Sequence, residues 1–77
     1  MSTVLRLGGH RFYFYANERN EPPHVHIQAA GKSAKFWLSP VALARSAGYD
    51  ARDLRVLRGY VEQHRTLLEN TVGERVA

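Results

Sequence analysis

The chain has 77 residues and no cysteine, so it offers one small core and excludes both a disulfide framework and a thiolate metal site. Eleven Lys and Arg against seven Asp and Glu leave a net charge of +4, which favours an anionic partner, either nucleic acid or an acidic protein. With no disulfide chemistry and no long apolar run, the expectation is a cytoplasmic protein without a leader or membrane span.

Residues 3–7 and 10–16 read as two strands around Gly8-Gly9, a strong hairpin signal. A two-residue turn sets Leu7 opposite His10, Arg6 opposite Arg11, Leu5 opposite Phe12 and Val4 opposite Tyr13. Leu5, Leu7, Phe12 and Phe14 then share a core face with His10, while Arg6, Arg11, Tyr13 and Tyr15 share the open one. Like charges directly opposite are unfavourable, so Arg6 and Arg11 either share an anion or splay apart into water.

A polar loop, 17–23, ends in Pro22-Pro23 and leads to a strand at 24–30. There His24, His26 and Gln28 alternate with Val25, Ile27 and Ala29. A turn at Gly31-Lys32 and a strand at 33–38 complete a second hairpin. That turn sets Ile27 opposite Phe36, Val25 opposite Leu38, His26 opposite Trp37 and Gln28 opposite Lys35.

Ser39 as a cap and Pro40 at the first helical position predict a short helix over 40–47, stopped by Gly48. Asp50, with Asp53 three residues on, starts a second helix over 50–72. Its stripe of Leu54, Leu57, Val61, His64, Leu68 and Val72 covers the sheet. Gly59 inside this helix costs about 1 kcal/mol relative to alanine, and close packing against the sheet would account for it. Gly73 ends the helix, and 74–77 reads as a frayed tail. The predicted fold is a single α+β domain, 1–77. It has a four-stranded, mostly antiparallel sheet, with a short and a long C-terminal helix packed on one face.

The open face collects the candidate chemistry. Arg6, Arg11 and Lys35 are placed to hold phosphates, and Tyr13, Tyr15 and Trp37 to stack bases, the combination by which sheets bind single-stranded nucleic acid. His24 and His26 are the candidate proton donor and acceptor. The bland alternative is that His26 stacks on Trp37 while His24 bonds the proline loop. Two histidines at i and i+2 could face one ion, but a zinc site needs a third ligand. His10, Glu18 and Glu21 are the choices, and the hairpin turns His10 away. The expectation is therefore no metal and no cofactor. Arg52, Arg55 and Arg58 oppose the helix dipole near its start, a mild hint of an anionic partner. Arg58–Glu62 and Arg65–Glu69 read as i, i+4 pairs. Arg45 is isolated and receives no role.

Several strings resemble a known family: Arg11-Phe12-Tyr13-Phe14-Tyr15, Asn17-Glu18, Glu21-Pro22-Pro23-His24-Val25-His26, Ala34-Lys35-Phe36-Trp37-Leu38 and Pro40-Val41. Together they are similar to the bacterial and archaeal Domain of Unknown Function four-one-six-zero, over Thr3 to about Leu68. The resemblance implies a gene layout that looks like a type II toxin–antitoxin pair, with this basic chain as the toxin-like half. It supplies no catalytic residues. The leading expectation is an RNA-directed toxin-like protein that binds RNA on the open face, with metal-independent cleavage by His24 and His26 as a candidate step. A small acidic protein from a neighbouring gene is the expected cognate partner. The rival is a non-catalytic interaction module whose sheet face docks an acidic protein.

Overall fold

A computed structural model describes residues 2–15 and 20–76, with side chains over 3–15 and 20–71. Residues 17–19 of the expected loop, including the candidate ligand Glu18, lie outside the described residues. The architecture is α+β: one antiparallel sheet and two C-terminal helices. The sheet has five strands in sequence order: β1 (Ser2–Leu7), β2 (His10–Phe14), β3 (His24–Ala29), β4 (Lys32–Leu38) and β5 (Val41–Ala47). Helix α1 is Ala51–Gln63 and α2 is Arg65–Val76.

The first hairpin follows its turn chemistry. Gly8 and Gly9 both take positive φ, 54° and 81°, as a tight turn with two left-handed residues requires. Leu7–His10, Arg6–Arg11 and Leu5–Phe12 pair as the turn dictates. The expected Val4–Tyr13 pair is corrected: the register shifts between Thr3 and Leu5, and Tyr13 faces Thr3. A bulge lets neighbouring residues escape strict alternation. Val4 and Leu5 both pack against the core as a result.

The second hairpin is also corrected. Its turn is Ala30-Gly31, with φ of 46° and 78°, not Gly31-Lys32. Val25 therefore faces Phe36, His24 faces Trp37 and His26 faces Lys35. The expected pairs Ile27–Phe36, Val25–Leu38, Gln28–Lys35 and His26–Trp37 are each displaced by two residues. A two-residue shift preserves both faces, so the apolar pattern cannot distinguish the registers.

The larger correction is at 40–47. This segment is strand β5, paired with β4 from Leu38–Val41 to Ser33–Ala47. Ser39-Pro40, whose peptide is cis, forms the hairpin turn rather than a helix start. Val41 and Leu43 alternate with Ala42 and Ala44, a pattern too rich in alanine to proclaim a strand. Pairing with the long edge of β4 overrides the local helical preference. A register shift near Lys35 and Phe36 leaves Lys35 opposite Arg45 and Phe36 opposite Leu43.

Asp50 caps α1 as its spacing indicates, accepting the Asp53 N–H at 2.8 Å. The long helix expected over 50–72 is divided at His64, whose backbone leaves helical geometry at φ −109°, ψ 15°. Its Nδ1 donates to the Tyr60 carbonyl at 2.9 Å, one turn back. The division lets α1 pack on β4 and β5 while α2 packs on β3 and β4. The helix continues through Gly73 to Val76, so neither the glycine stop nor the frayed tail over 74–76 is found. A methyl at Gly59 would touch nothing within 4 Å, which corrects the expectation of close packing there.

Phe12, Val25, Ile27, Phe36, Leu38, Leu57, Val61 and Leu68 are each at most 1% exposed and form the core between sheet and helices. Burying each such side chain stabilises by about 1.5–3 kcal/mol. At the sheet end near α1, His10 Nδ1 and the Tyr49 hydroxyl lie 2.9 Å apart in a hydrogen bond. Burial, with the Asp53 carboxylate as a smaller influence, raises the Tyr49 hydroxyl above its ordinary pKa. Among the described residues, both helices pack on this one face of the sheet.

Candidate functional site

Cross-strand pairing organises the open face into rows. One row runs Thr3–Tyr13–His26–Lys35–Arg45 across all five strands. A second runs Arg6–Arg11–Gln28–Ser33–Ala47. His24 and Trp37 are partners on the far side of the first row. Because one hydrogen-bonded register threads through every strand, neighbours in a row sit about 4.8 Å apart along the ladder direction.

The rings form one continuous cluster. His26 stacks on Tyr13 at 5.4 Å between centroids and meets Tyr15 edge-to-face at 4.7 Å. His24 lies 5.1 Å from His26 and 5.7 Å from Trp37, edge-to-face in both cases. The expected His26–Trp37 stack is thus replaced: His24 meets the indole, and Tyr13 stacks on His26. Both histidines are nearly closed off, with His24 4% and His26 6% exposed, whereas Tyr15 is 46% exposed.

The Glu-Pro-Pro-His string works in large part as a clasp. The His24 Nδ1 donates to the Pro22 carbonyl at 2.9 Å, which fixes the hydrogen on that nitrogen and ties the ring to the proline segment. The Leu38 N–H donates to the Pro23 carbonyl at 3.0 Å. Glu21 accepts a hydrogen bond from Lys35 Nζ. Lys35 also sits over the Trp37 ring, 4.8 Å from its centroid. Its side chain is 9% exposed, so the ammonium is largely out of water and its charge is met within the chain. Lys35, expected to hold a phosphate, thus already has a carboxylate partner within the chain.

Arg11 is similarly engaged. It donates to Thr3 Oγ1 at 3.1 Å and Gln28 Oε1 at 2.7 Å, and lies over Tyr13 at 4.4 Å. Arg6, its cross-strand partner, is exposed. No buried side-chain nitrogen or oxygen among the described residues lacks a partner. Nor do three His, Asp or Glu among them converge to hold a metal.

A cleft of about 300 Å³ opens on this face, lined by Tyr13, Tyr15, His26, Lys35, Arg45 and Ser46 among others. Sequence reasoning missed Arg45, because a helical reading of 40–47 removed it from the sheet. The alternation of Val41 and Leu43 with small residues was the available signal. Arg52, Arg55 and Arg58 stand on α1, apart from this face. Arg58 pairs with Glu62 at 3.9 Å and donates to the Val41 carbonyl at 3.3 Å, and Arg65 pairs with Glu69 at 2.8 Å. These are helix-surface and packing contacts. No helix among the described residues is long and apolar enough to cross a membrane.

A family model described as Domain of unknown function (DUF4160) matches residues 9–71. No curated protein and no solved structure matches the chain.

Proposed function

The chain belongs to the DUF4160 family, and for it we propose RNA binding on the open sheet face, as the RNA-directed, toxin-like half of a two-gene module in the cytoplasm. The observation that carries this reading is the row Tyr13–His26–Lys35–Arg45, with exposed Tyr15 beside it. Aromatic rings accept stacked bases, and flanking guanidinium groups accept phosphates. The net charge of +4 supports the same partner class. A small acidic protein would cover this face in the inactive pair.

The geometry favours binding over cleavage. General acid–base catalysis needs an imidazole within hydrogen-bond reach of the reacting oxygen. His26 lines the cleft, but His24 is buried beneath rings and holds the proline segment. His24 therefore supports His26 in position rather than meeting substrate. The rival reading, docking of an acidic protein without RNA, draws support from the internal partners of Lys35 and Arg11.

Metal-free incubation of the purified protein with a single-stranded RNA, at several salt concentrations, tests the proposal. Salt-sensitive binding that weakens in Tyr15→Ala is expected, and product formation abolished in His26→Ala would add cleavage. No RNA binding at low salt would leave the interaction module as the better account.

A further inference from the structure

We propose that the cleft beside β5 is a subsite for one nucleoside monophosphate unit, with its base against Tyr15 and its phosphate on Arg45. The inference rests on the RNA-binding reading and narrows it to one place on the face.

The argument begins with the cations. Lys35 is held by Glu21, and Arg11 by Thr3 and Gln28. Arg45 lies directly across from Lys35, is exposed, and meets no acceptor among the described residues. Of the cleft's two cationic side chains, Lys35 is paired with Glu21, and Arg45 is the one without an acceptor among the described residues. A guanidinium presents a planar fork that matches a phosphate's oxygens.

The ring side is equally specific. Tyr13 is covered by Arg11 on one side and stacked with His26, so neither offers a free face as large as that of Tyr15. Tyr15 meets His26 at an interplanar angle of 73° and Tyr13 at 87°, which fixes its ring at the cleft wall with 46% of the residue still exposed. A planar base fits against such a wall by stacking on the exposed part of the Tyr15 ring. Ser33 and Ser46 add hydroxyl groups to the lining. The volume, about 300 Å³, is at the lower bound of small-molecule sites. It suits one nucleotide. By neutralising Lys35, the Glu21 carboxylate leaves Arg45 as the cleft's net positive charge, which suits a single phosphate group better than a polyphosphate.

The same chemistry occurs in a free nucleotide and in an RNA strand, and the experiment separates them. The aromatic and arginine side-chain NMR signals are followed while adenosine 5′-monophosphate, adenosine or inorganic phosphate is added. A short oligoribonucleotide is then added with and without the monophosphate. The monophosphate should shift Tyr15, His26 and Arg45 together, and bind at least about tenfold more tightly than adenosine, as loss of a charge-assisted hydrogen bond implies. Arg45→Gln should abolish that advantage without lowering the melting temperature, since Arg45 is exposed. Tyr15→Leu should weaken monophosphate and adenosine alike, while Arg52→Gln on α1 should change neither. Unaltered monophosphate binding by Arg45→Gln, or shifts confined to other residues, overturns the proposal. If the oligoribonucleotide binds but the monophosphate does not displace it, the subsite fails while RNA binding stands. If the monophosphate binds through Arg45 and the oligoribonucleotide does not, the subsite stands as a free-nucleotide site and the RNA reading falls.

Discussion

Replacing Glu21 by glutamine should harm the fold more than replacing Lys35 by methionine, although the two changes break the same ion pair. The reason is the uneven burial of its ends: the Lys35 side chain is 9% exposed and the Glu21 side chain 40%. Exposed pairs contribute about 0–1 kcal/mol, whereas stripping the partner from a buried charge costs about 3–5 kcal/mol. Glu21→Gln strands an ammonium that is mostly out of water but keeps an amide oxygen nearby, so a loss of about 1–2 kcal/mol is expected. For a domain of this size that lowers the melting temperature by about 5–15 °C. Lys35→Met instead leaves a carboxylate that water can reach. It forfeits about 0.5–1 kcal/mol of cation–ring attraction to Trp37. A thioether on the same indole returns about 0.3–1.5 kcal/mol. Lys35→Met and the double variant should therefore both melt within about 1 kcal/mol of the wild type, measured by thermal and urea unfolding at neutral pH. If Lys35→Met proves the more damaging single change, desolvation of the ammonium does not govern this pair and the argument is wrong.

Three further outcomes follow from the backbone and caps. Ala30→Asn should stabilise by about 1 kcal/mol, because asparagine tolerates the positive φ that alanine adopts here and Asn-Gly suits this turn; no gain on urea unfolding would return the turn to Gly31-Lys32. Gly59→Ala should stabilise by about 1 kcal/mol, since the added methyl meets open space in a helix interior; a lower melting temperature would mean that an unseen partner approaches there. The bond from the Asp53 N–H holds the Asp50 carboxyl below its ordinary pKa. A group depressed on folding supports the fold fully above its unfolded pKa and loses that support as pH falls through its folded one. Asp50→Asn, which keeps a good cap, should therefore show a shallower fall in melting temperature than the wild type below about pH 4; parallel curves would remove the linkage.

Much of this was legible from residue order because alternation and turn chemistry act locally. Gly8-Gly9 bends the first hairpin with both residues at positive φ, and the Arg6–Arg11 pairing follows from that bend alone. Asp50 and Asp53 announce the start of α1 three residues apart. The apolar face of Phe12, Val25, Ile27, Phe36 and Leu38, and the helix stripe of Leu57, Val61 and Leu68, needed only side-chain period. Tertiary structure decided what local rules leave degenerate. A shift of two residues keeps every face intact, so only the completed packing, with Val25 against Phe36, selected the register that gives His24 to Trp37 and His26 to Lys35. Val41 to Ala47 has side chains small enough for either helix or strand, and the open hydrogen-bonding edge of β4 made it a strand. That choice carried Arg45 onto the open face, at the end of a row of cross-strand pairs that begins at Thr3, 42 positions earlier in the chain.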